Sequence, residues 1–144
     1  MNTQIKKFFL FLSVLIVLFQ FFPVEHSNPE IQAEIRIGEK IKSVLKRSCY
    51  DCHSNETLWP YYSYIFPFSI LVSHHVSEGR GELNFSSWEN LSPKKKSSRA
   101  KDIIEEIESG EMPPGYYILF NKKAVLSKDE IDLLKEWADK LVSE

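Results

Sequence analysis

Apolar residues recur three and four positions apart along much of the chain, which is the pattern of helices that bury one face. One such stretch begins near Glu34, and its apolar positions are Ile37, Ile41, Val44 and Leu45. Another begins at Pro67, a favoured residue for a first helical turn, and we expect Gly79 and Gly81 to end it. The periodicity therefore predicts two helices in the middle of the chain.

Two further helices are indicated by residues typical of helix termini. Ser92 and Pro93 provide an N-cap and a first-turn proline, and Gly110 is a typical C-terminal stop. Ser127 and Glu130 have the spacing of a capping box. The apolar positions that follow these starts are Ala100, Ile103, Ile104, Ile107, Ile131, Leu134, Trp137, Ala138 and Leu141. Because no run alternates long enough to predict a strand, the expected fold class is all-α.

The beginning of the chain has a different pattern, because residues 8–24 contain no charged side chain. Lys6 and Lys7 precede this apolar run, and a basic start before an apolar segment is typical of an export signal. Positive residues stay on the cytoplasmic side of the membrane. We therefore expect a hydrophobic N-terminal helix, followed by a domain on the periplasmic side of the bacterial inner membrane.

The apolar run has three interpretations. A cleaved signal peptide needs small residues near its end, whereas this run ends in Phe21, Phe22, Pro23 and Val24. A membrane anchor needs about 17–25 apolar residues, which the run only just provides. We favour the retained anchor over cleavage and release into the periplasm, and both over a buried core helix.

Length and composition limit the classes of protein to which the chain can belong. With 144 residues, 13% aromatic residues and a net charge of −2, it has the composition of one folded domain and no basic surface for nucleic acid. Two cysteines separated by only two residues do not make a disulfide-stapled miniprotein. The expected organisation is a signal peptide or membrane anchor at residues 1–25, a polar linker at 26–34 and one domain at 35–144.

The candidate chemistry is concentrated at Cys49-Tyr50-Asp51-Cys52-His53, which is the C-x-x-C-H signature of c-type haem attachment. Two thiols three positions apart can reach the two vinyl groups on one edge of a porphyrin and form thioethers. The histidine that follows can bind the iron from below as the proximal ligand. The motif predicts one haem c, covalently attached through Cys49 and Cys52, with His53 as an iron ligand.

Three other interpretations of this motif are less favoured. A redox-active dithiol usually sits between a strand and a helix, whereas a helical pattern precedes Cys49. A zinc site would need Cys49, Cys52, His53 and a fourth ligand such as His75, at an unusual spacing. A disulfide between Cys49 and Cys52 would close a very small, strained loop.

Met112 is the favoured sixth ligand of the iron. Its thioether is a soft ligand that suits haem iron, and the two prolines that follow it stiffen the backbone that would hold it. The first alternative is His75, with His74 beside it, which would give a bis-histidine haem. The second is that Met112 only fills space in the core.

Aromatic residues crowd the stretch after His53, and we expect them to screen the porphyrin from water. They are Trp59, Tyr61, Tyr62, Tyr64, Phe66 and Phe68. Arg80 is expected to pair with a haem propionate, because a guanidinium binds a carboxylate through two hydrogen bonds. The alternative for Arg80 is a solvated side chain.

From about residue 35 onward, the chain resembles the bacterial haem-binding domain family related to cytochrome c. The pieces that carry the resemblance are Cys49 to His53, Trp59-Pro60, His75-Val76, Glu78-Gly79-Arg80, Leu83-Asn84-Phe85-Ser86, Trp88 and Met112-Pro113-Pro114. The resemblance implies a small helical, cytochrome c-like domain around one haem, with Met112 as the distal ligand. Such sequences often carry a histidine where this chain has Asn121.

The expected function is one-electron transfer by a His/Met-ligated haem, with redox proteins of unknown identity as partners. This function fits an iron that has no open position for a substrate. The alternatives are a haem that senses a small ligand when Met112 dissociates, a bis-histidine haem domain, and, with the least support, a peroxidase-type enzyme.

Overall fold

Helices account for all of the regular secondary structure in residues 2–143, which are the residues that the computed structural model describes. The helices are α1 (Thr3–Phe19), α2 (Glu39–Ser48), α3 (Tyr50–His53), α4 (Phe68–Glu82), α5 (Pro93–Ser109), α6 (Gly115–Phe120) and α7 (Lys128–Ser143). Short 3₁₀ turns lie at Tyr61–Tyr64, Phe85–Asn90 and Lys122–Ala124. The all-α prediction is confirmed for this part of the chain. Residue 1 of the predicted N-terminal segment and residue 144 of the predicted domain lie outside the described residues.

The helix termini predicted for α5 and α7 are confirmed. Ser92 caps α5 by accepting a hydrogen bond from the Lys95 amide, and Gly110 ends the helix with a φ of 81°, which favours glycine. At the start of α7, the Glu130 amide donates to the Ser127 hydroxyl at 3.3 Å while the Glu130 carboxylate accepts from the Ser127 amide at 2.8 Å.

The predicted end of α4 is wrong. The helix continues through Gly79 and Gly81 and ends at Glu82, three residues after the first glycine and one after the second. Glycine lowers helix stability but does not by itself stop a helix. Gly79 is inside α4 for a different reason, which is the close approach of another segment of backbone.

The hydrophobic core joins α2, α3 and α7, and α3 carries most of the Cys49–His53 segment. The buried members of the core are Ile35, Val44, Leu45, Tyr50, Phe85, Trp88 and Leu134. The Tyr50 ring stacks on Phe85 with a centroid distance of 5.4 Å, so the first residue of α3 is part of this core. α5 packs against α7 and completes the helical layer.

From Phe8 onward α1 is apolar except for Ser13, nearly all of its residues are exposed, and none is buried. No helix within residues 2–143 combines the length and the apolar character that crossing a bilayer requires. Residues 26–34 form no helix and lie against the domain, where the Ala33 amide donates to the Ser86 carbonyl at 2.9 Å.

An ion pair joins α2 to α7. Arg47 Nη1 lies 2.8 Å from Glu130 Oε1, at the same carboxylate that caps α7. The hydrogen bond from Arg47, together with those from Ser127, lowers the pKa of Glu130 from 4.5 to about 2. One carboxylate therefore starts a helix and fastens it to its neighbour.

We expect Glu130→Gln to be less stable than the wild type at pH 7 by about 0.5–1 kcal/mol, because the amide keeps the cap but loses the ion pair. The pKa of Glu130 is lower in the folded state, so its stabilisation is present above about pH 4.5 and is lost as the pH falls toward about 2. Urea unfolding across this pH range measures the difference. The exposed Glu136→Gln on the same helix is the control. A stability difference that persists unchanged at pH 2 would contradict the assignment.

Candidate functional site

A cavity of about 490 Å³ lies between α3, α4, α5 and α6. This volume is within the range of roughly 300–1,000 Å³ that cofactor sites occupy. Five candidate attachment and iron-ligand residues line it, namely Cys49, Cys52, His53, His75 and Met112. Much of the remaining wall is apolar and includes Leu83, Phe85, Ile103, Ile107, Pro113, Pro114 and Leu126.

The side chain of His53 is held by the end of α4. Its Nδ1 lies 2.9 Å from the Gly79 carbonyl oxygen and 3.1 Å from that of Leu83. A carbonyl oxygen only accepts hydrogen bonds, so Nδ1 carries the hydrogen and Nε2 keeps its lone pair. Burial lowers the pKa of His53, which favours the neutral ring. A neutral imidazole with Nδ1 bonded to a carbonyl and Nε2 available is the usual state of a metal-binding histidine.

Gly79 allows α4 to touch the backbone of α3. A Cβ atom added at Gly79 would lie 2.6 Å from the Cys52 carbonyl oxygen and 3.2 Å from Cys52 Cβ. No side chain other than hydrogen fits at this distance. The contact brings two carbonyl groups close to His53, namely that of Gly79, which also accepts from the Leu83 amide at 2.9 Å, and that of Leu83 just after the helix.

The two cysteines are free thiols, and burial raises the pKa of Cys49 to about 12 and that of Cys52 to about 11. A reactive dithiol needs a lowered thiol pKa, so the redox interpretation is disfavoured. The zinc interpretation also gains no support, because no three His, Cys, Asp or Glu side chains of residues 2–143 form a group that could hold a metal ion.

Met112 lies on the wall of the cavity, in the non-helical segment between α5 and α6. Its amide donates to the Glu106 carbonyl at 3.0 Å, directly after the turn at Gly110. Pro113 and Pro114 line the cavity beside it. The methionine is 37% exposed and is therefore not a core residue that merely fills space.

Of the two neighbouring histidines on α4, only His75 lines the cavity. The Tyr116 hydroxyl lies 3.0 Å from His75 Nδ1, and the two rings stack with a centroid distance of 5.0 Å. His74 is exposed and pairs with Glu78, its Nε2 lying 3.3 Å from Glu78 Oε1. His75 thus lies on the wall of the cavity, while His74 does not.

A polar contact that the sequence did not predict closes one side of the cavity. The Tyr117 hydroxyl donates to Asp51 Oδ2 at 2.7 Å and accepts from Asn121 Nδ2 at 2.8 Å. Burial and the hydrogen bond to Asp51 raise the pKa of Tyr117. Asp51 also accepts from the Leu58 amide at 3.0 Å. The only signal in the sequence was that Asp51 lies inside the motif and that Tyr117 follows the Met112 segment.

Arg80 does not line the cavity. Its guanidinium and Nε donate to the Ser54 and Ser27 carbonyls, to Asn28 Oδ1 and to Thr57 Oγ1, at distances from 2.7 to 3.0 Å. These bonds occupy the group that was expected to bind a propionate, and they tie residues 27–28 to the segment after His53. Within the described residues, Arg99 is the one lysine or arginine on the cavity wall.

Trp59 and the aromatic residues after it do not line the cavity either. The Arg80 guanidinium lies 5.9 Å from the centre of the Trp59 ring, and His26 contacts the same ring edge-on at 4.7 Å. The aromatic residues of 61–68 pack toward α6 and α1 instead. The Tyr62 ring lies 4.9 Å from Phe120 of α6, and the Phe66 ring stacks on Phe19 of α1. The aromatic side chains on the cavity wall come from Phe85, Tyr116 and Tyr117.

Comparison with known proteins gives one match. Residues 14–140 match the family described as haem-binding domain, and the chain therefore belongs to this family. No curated protein and no solved structure matches the chain.

Two glycines of α4 provide a matched pair of variants. Gly79→Ala is expected to lower the stability of the purified full chain by about 1–3 kcal/mol, because the new methyl group would overlap Cys52. Gly81→Ala has no atom within 4 Å of its new Cβ, and it should leave stability unchanged or raise it by up to about 1 kcal/mol. Urea unfolding followed by circular dichroism measures both. Equal effects at the two positions would show that the close contact is absent.

Proposed function

We propose that this member of the haem-binding domain family is a monohaem c-type cytochrome domain that transfers single electrons on the periplasmic side of the bacterial inner membrane. The observation that carries the proposal is the arrangement of one cavity wall. Two free thiols, Cys49 and Cys52, lie beside His53, whose Nε2 is left available by the bonds at Nδ1. This is the donor set that a c-type haem requires.

The residues would hold the cofactor in the following roles. Cys49 and Cys52 would carry the thioether bonds, and His53 would bind the iron through Nε2. Met112 would supply the second axial ligand, for which its place on the cavity wall is the support. When bound, the haem supplies one-electron exchange at its iron, and methionine ligation raises its reduction potential.

The remaining walls would keep the site dry and rigid. Phe85, Leu83 and Ile107 present apolar surface, which lowers the local dielectric constant around a cofactor. The hydrogen bond between Tyr117 and Asp51 fixes α6 against the attachment segment. Arg99 is the side chain that would meet a propionate in place of Arg80, although it also lies 3.4 Å from Asp102.

Electron transfer is favoured over sensing because His53 and Met112 together would leave the iron without an open position. One observation supports sensing as a second candidate function. Met112 is on a non-helical segment and is partly exposed, so the ligand it provides could leave the iron without unfolding a helix. His75 and Tyr116 line the same cavity and would supply polar groups to a small ligand there.

The proposed location rests on the beginning of the chain. Lys6 and Lys7 lie near the start of α1 and precede its apolar part, and the helix buries none of its residues, as an export or membrane-binding segment would. A c-type haem would also be attached on this side of the membrane. The partners would be redox proteins that donate or accept one electron.

The axial role of Met112 is tested by Met112→Ala. We expect the variant to lose the methionine–iron charge-transfer band and to have a reduction potential lower by on the order of 0.1 V, because a thioether ligand stabilises ferrous iron. Absorption spectra and potentiometric titration measure both quantities. His75→Ala is the control and should keep the band. If the band is present in Met112→Ala, or if His75→Ala rather than Met112→Ala changes the axial ligation, Met112 is not the ligand.

Carbon monoxide binding separates electron transfer from sensing. The ferrous wild type should bind CO slowly or not at all, since CO must first displace Met112, whereas ferrous Met112→Ala should bind it rapidly. Stopped-flow absorption measures the two rates. Rapid CO binding by the wild type, at the rate of the variant, would favour the sensing function over electron transfer.

A further inference from the structure

Two uncharged stretches of the sequence meet in the fold. Residues 8–24 form most of α1 and its continuation, and residues 58–72 contain the aromatic segment that does not reach the cavity. Neither stretch has a Lys, Arg, Asp or Glu side chain. The aromatic segment does not line the proposed haem site, so its contact with α1 points to a different role.

The C-terminal end of α1 is bonded to the aromatic segment. Gln20 Nε2 donates to the Tyr64 carbonyl at 2.6 Å, and Gln20 Oε1 accepts from the Phe66 amide at 3.0 Å. The Phe19 ring stacks on Phe66 with a centroid distance of 5.1 Å and an interplanar angle of 16°. The end of the apolar helix is therefore fixed to residues 64–66 by two hydrogen bonds and one ring contact.

The same segment exposes a set of large apolar side chains, which we call the aromatic patch. It consists of Tyr61, Tyr64, Ile65, Phe68 and Phe120, which are 43–77% exposed. The half-buried Tyr62 connects these side chains, since its ring lies 4.9 Å from Phe120 and 6.4 Å from Phe68. A contiguous exposed apolar surface of this kind is typical of an interaction site rather than of a surface that faces water.

We propose that the aromatic patch lies in the interfacial layer of the same lipid bilayer that takes up α1. The two hydrogen bonds of Gln20 place the patch at the C-terminal end of α1. If the hydrocarbon core of a bilayer surrounds the helix, the interface of that bilayer lies beside the patch. Tyrosine suits this layer because its ring is apolar and its hydroxyl is polar. The exposed Lys122 and Lys123 follow Phe120 after one residue, Asn121, and would meet anionic headgroups.

A lipid surface explains the patch better than a second copy of the chain does. The apolar surface of the patch is continuous with that of α1, which is itself uncovered, and a dimer contact through the patch alone would leave the helix in water. The proposal fixes which face of the domain is turned toward the membrane. It rests on the membrane location in the proposed function but not on the haem.

The test uses the full chain bound to vesicles of phosphatidylethanolamine and phosphatidylglycerol. A nitroxide is attached through an oxime to p-acetylphenylalanine at position 61, 65 or 142, which leaves Cys49 and Cys52 unmodified. Val142 is on α7 and is 39% exposed, so it is the control for an apolar position outside the patch. Electron paramagnetic resonance then measures how often each label collides with oxygen, which concentrates in lipid, and with a water-soluble nickel chelate.

We expect the labels at 61 and 65 to favour oxygen over the nickel chelate several-fold, and the label at 142 to show the reverse. Ile65→Asp should make the label at 61 more accessible to the chelate, whereas Val142→Asp should not. If the chain floats with the vesicles but all three labels are equally accessible to the chelate, the patch is not at the membrane. Labels at 61 and 65 that are shielded from both reagents would show that protein covers the patch, which also overturns the proposal.

Two further outcomes separate this inference from the proposed function. A chain that does not float with the vesicles would contradict the membrane location itself, and the patch proposal with it. The haem content of the same sample is read from its absorption spectrum. A sample without haem whose labels at 61 and 65 lie in lipid would support the patch proposal and contradict the cytochrome function.

Discussion

The hydrogen bonds from His53 Nδ1 to the carbonyl oxygens of Gly79 and Leu83 are the interaction on which the site depends. They fix the orientation of the imidazole and leave Nε2 as the free nitrogen. They are possible only because α4 and α3 touch, and that contact requires a glycine at position 79. One close approach between two backbones thus determines how the ligand of the proposed haem iron is held.

The two residues between the cysteines connect the motif to the rest of the protein. Tyr50 is buried in the core, where it stacks on Phe85, and Asp51 accepts the hydroxyl of Tyr117 from α6. One of these contacts holds the motif against the core, and the other holds the segment after Met112 against the motif. Both walls of the cavity are therefore positioned from within the same short helix, which explains how thiols, imidazole and thioether come to share one cavity.

Local signals in the sequence predicted the long helices α2, α4, α5 and α7, and they pointed to Cys49, Cys52, His53 and Met112, which line one cavity. Ser92, Gly110, Ser127 and Glu130 act through neighbours in the chain, so their patterns predicted the ends of α5 and α7 correctly. Contacts between distant segments have no such signal. The role of Gly79 depends on Cys52, and the partners of Arg80 lie at positions 27, 28, 54 and 57, so periodicity and spacing could not indicate either.

Covalent attachment of one haem is the central claim, and the intact mass of the purified protein tests it most directly. The full chain is expressed together with a c-type haem maturation system, and its mass is measured after denaturation, which removes a haem that is only bound. The account predicts a mass increased by one haem, and an unmodified mass in the Cys49→Ala/Cys52→Ala variant. A wild-type chain with the mass of its sequence alone, or with its two sulfurs joined to each other, would contradict it.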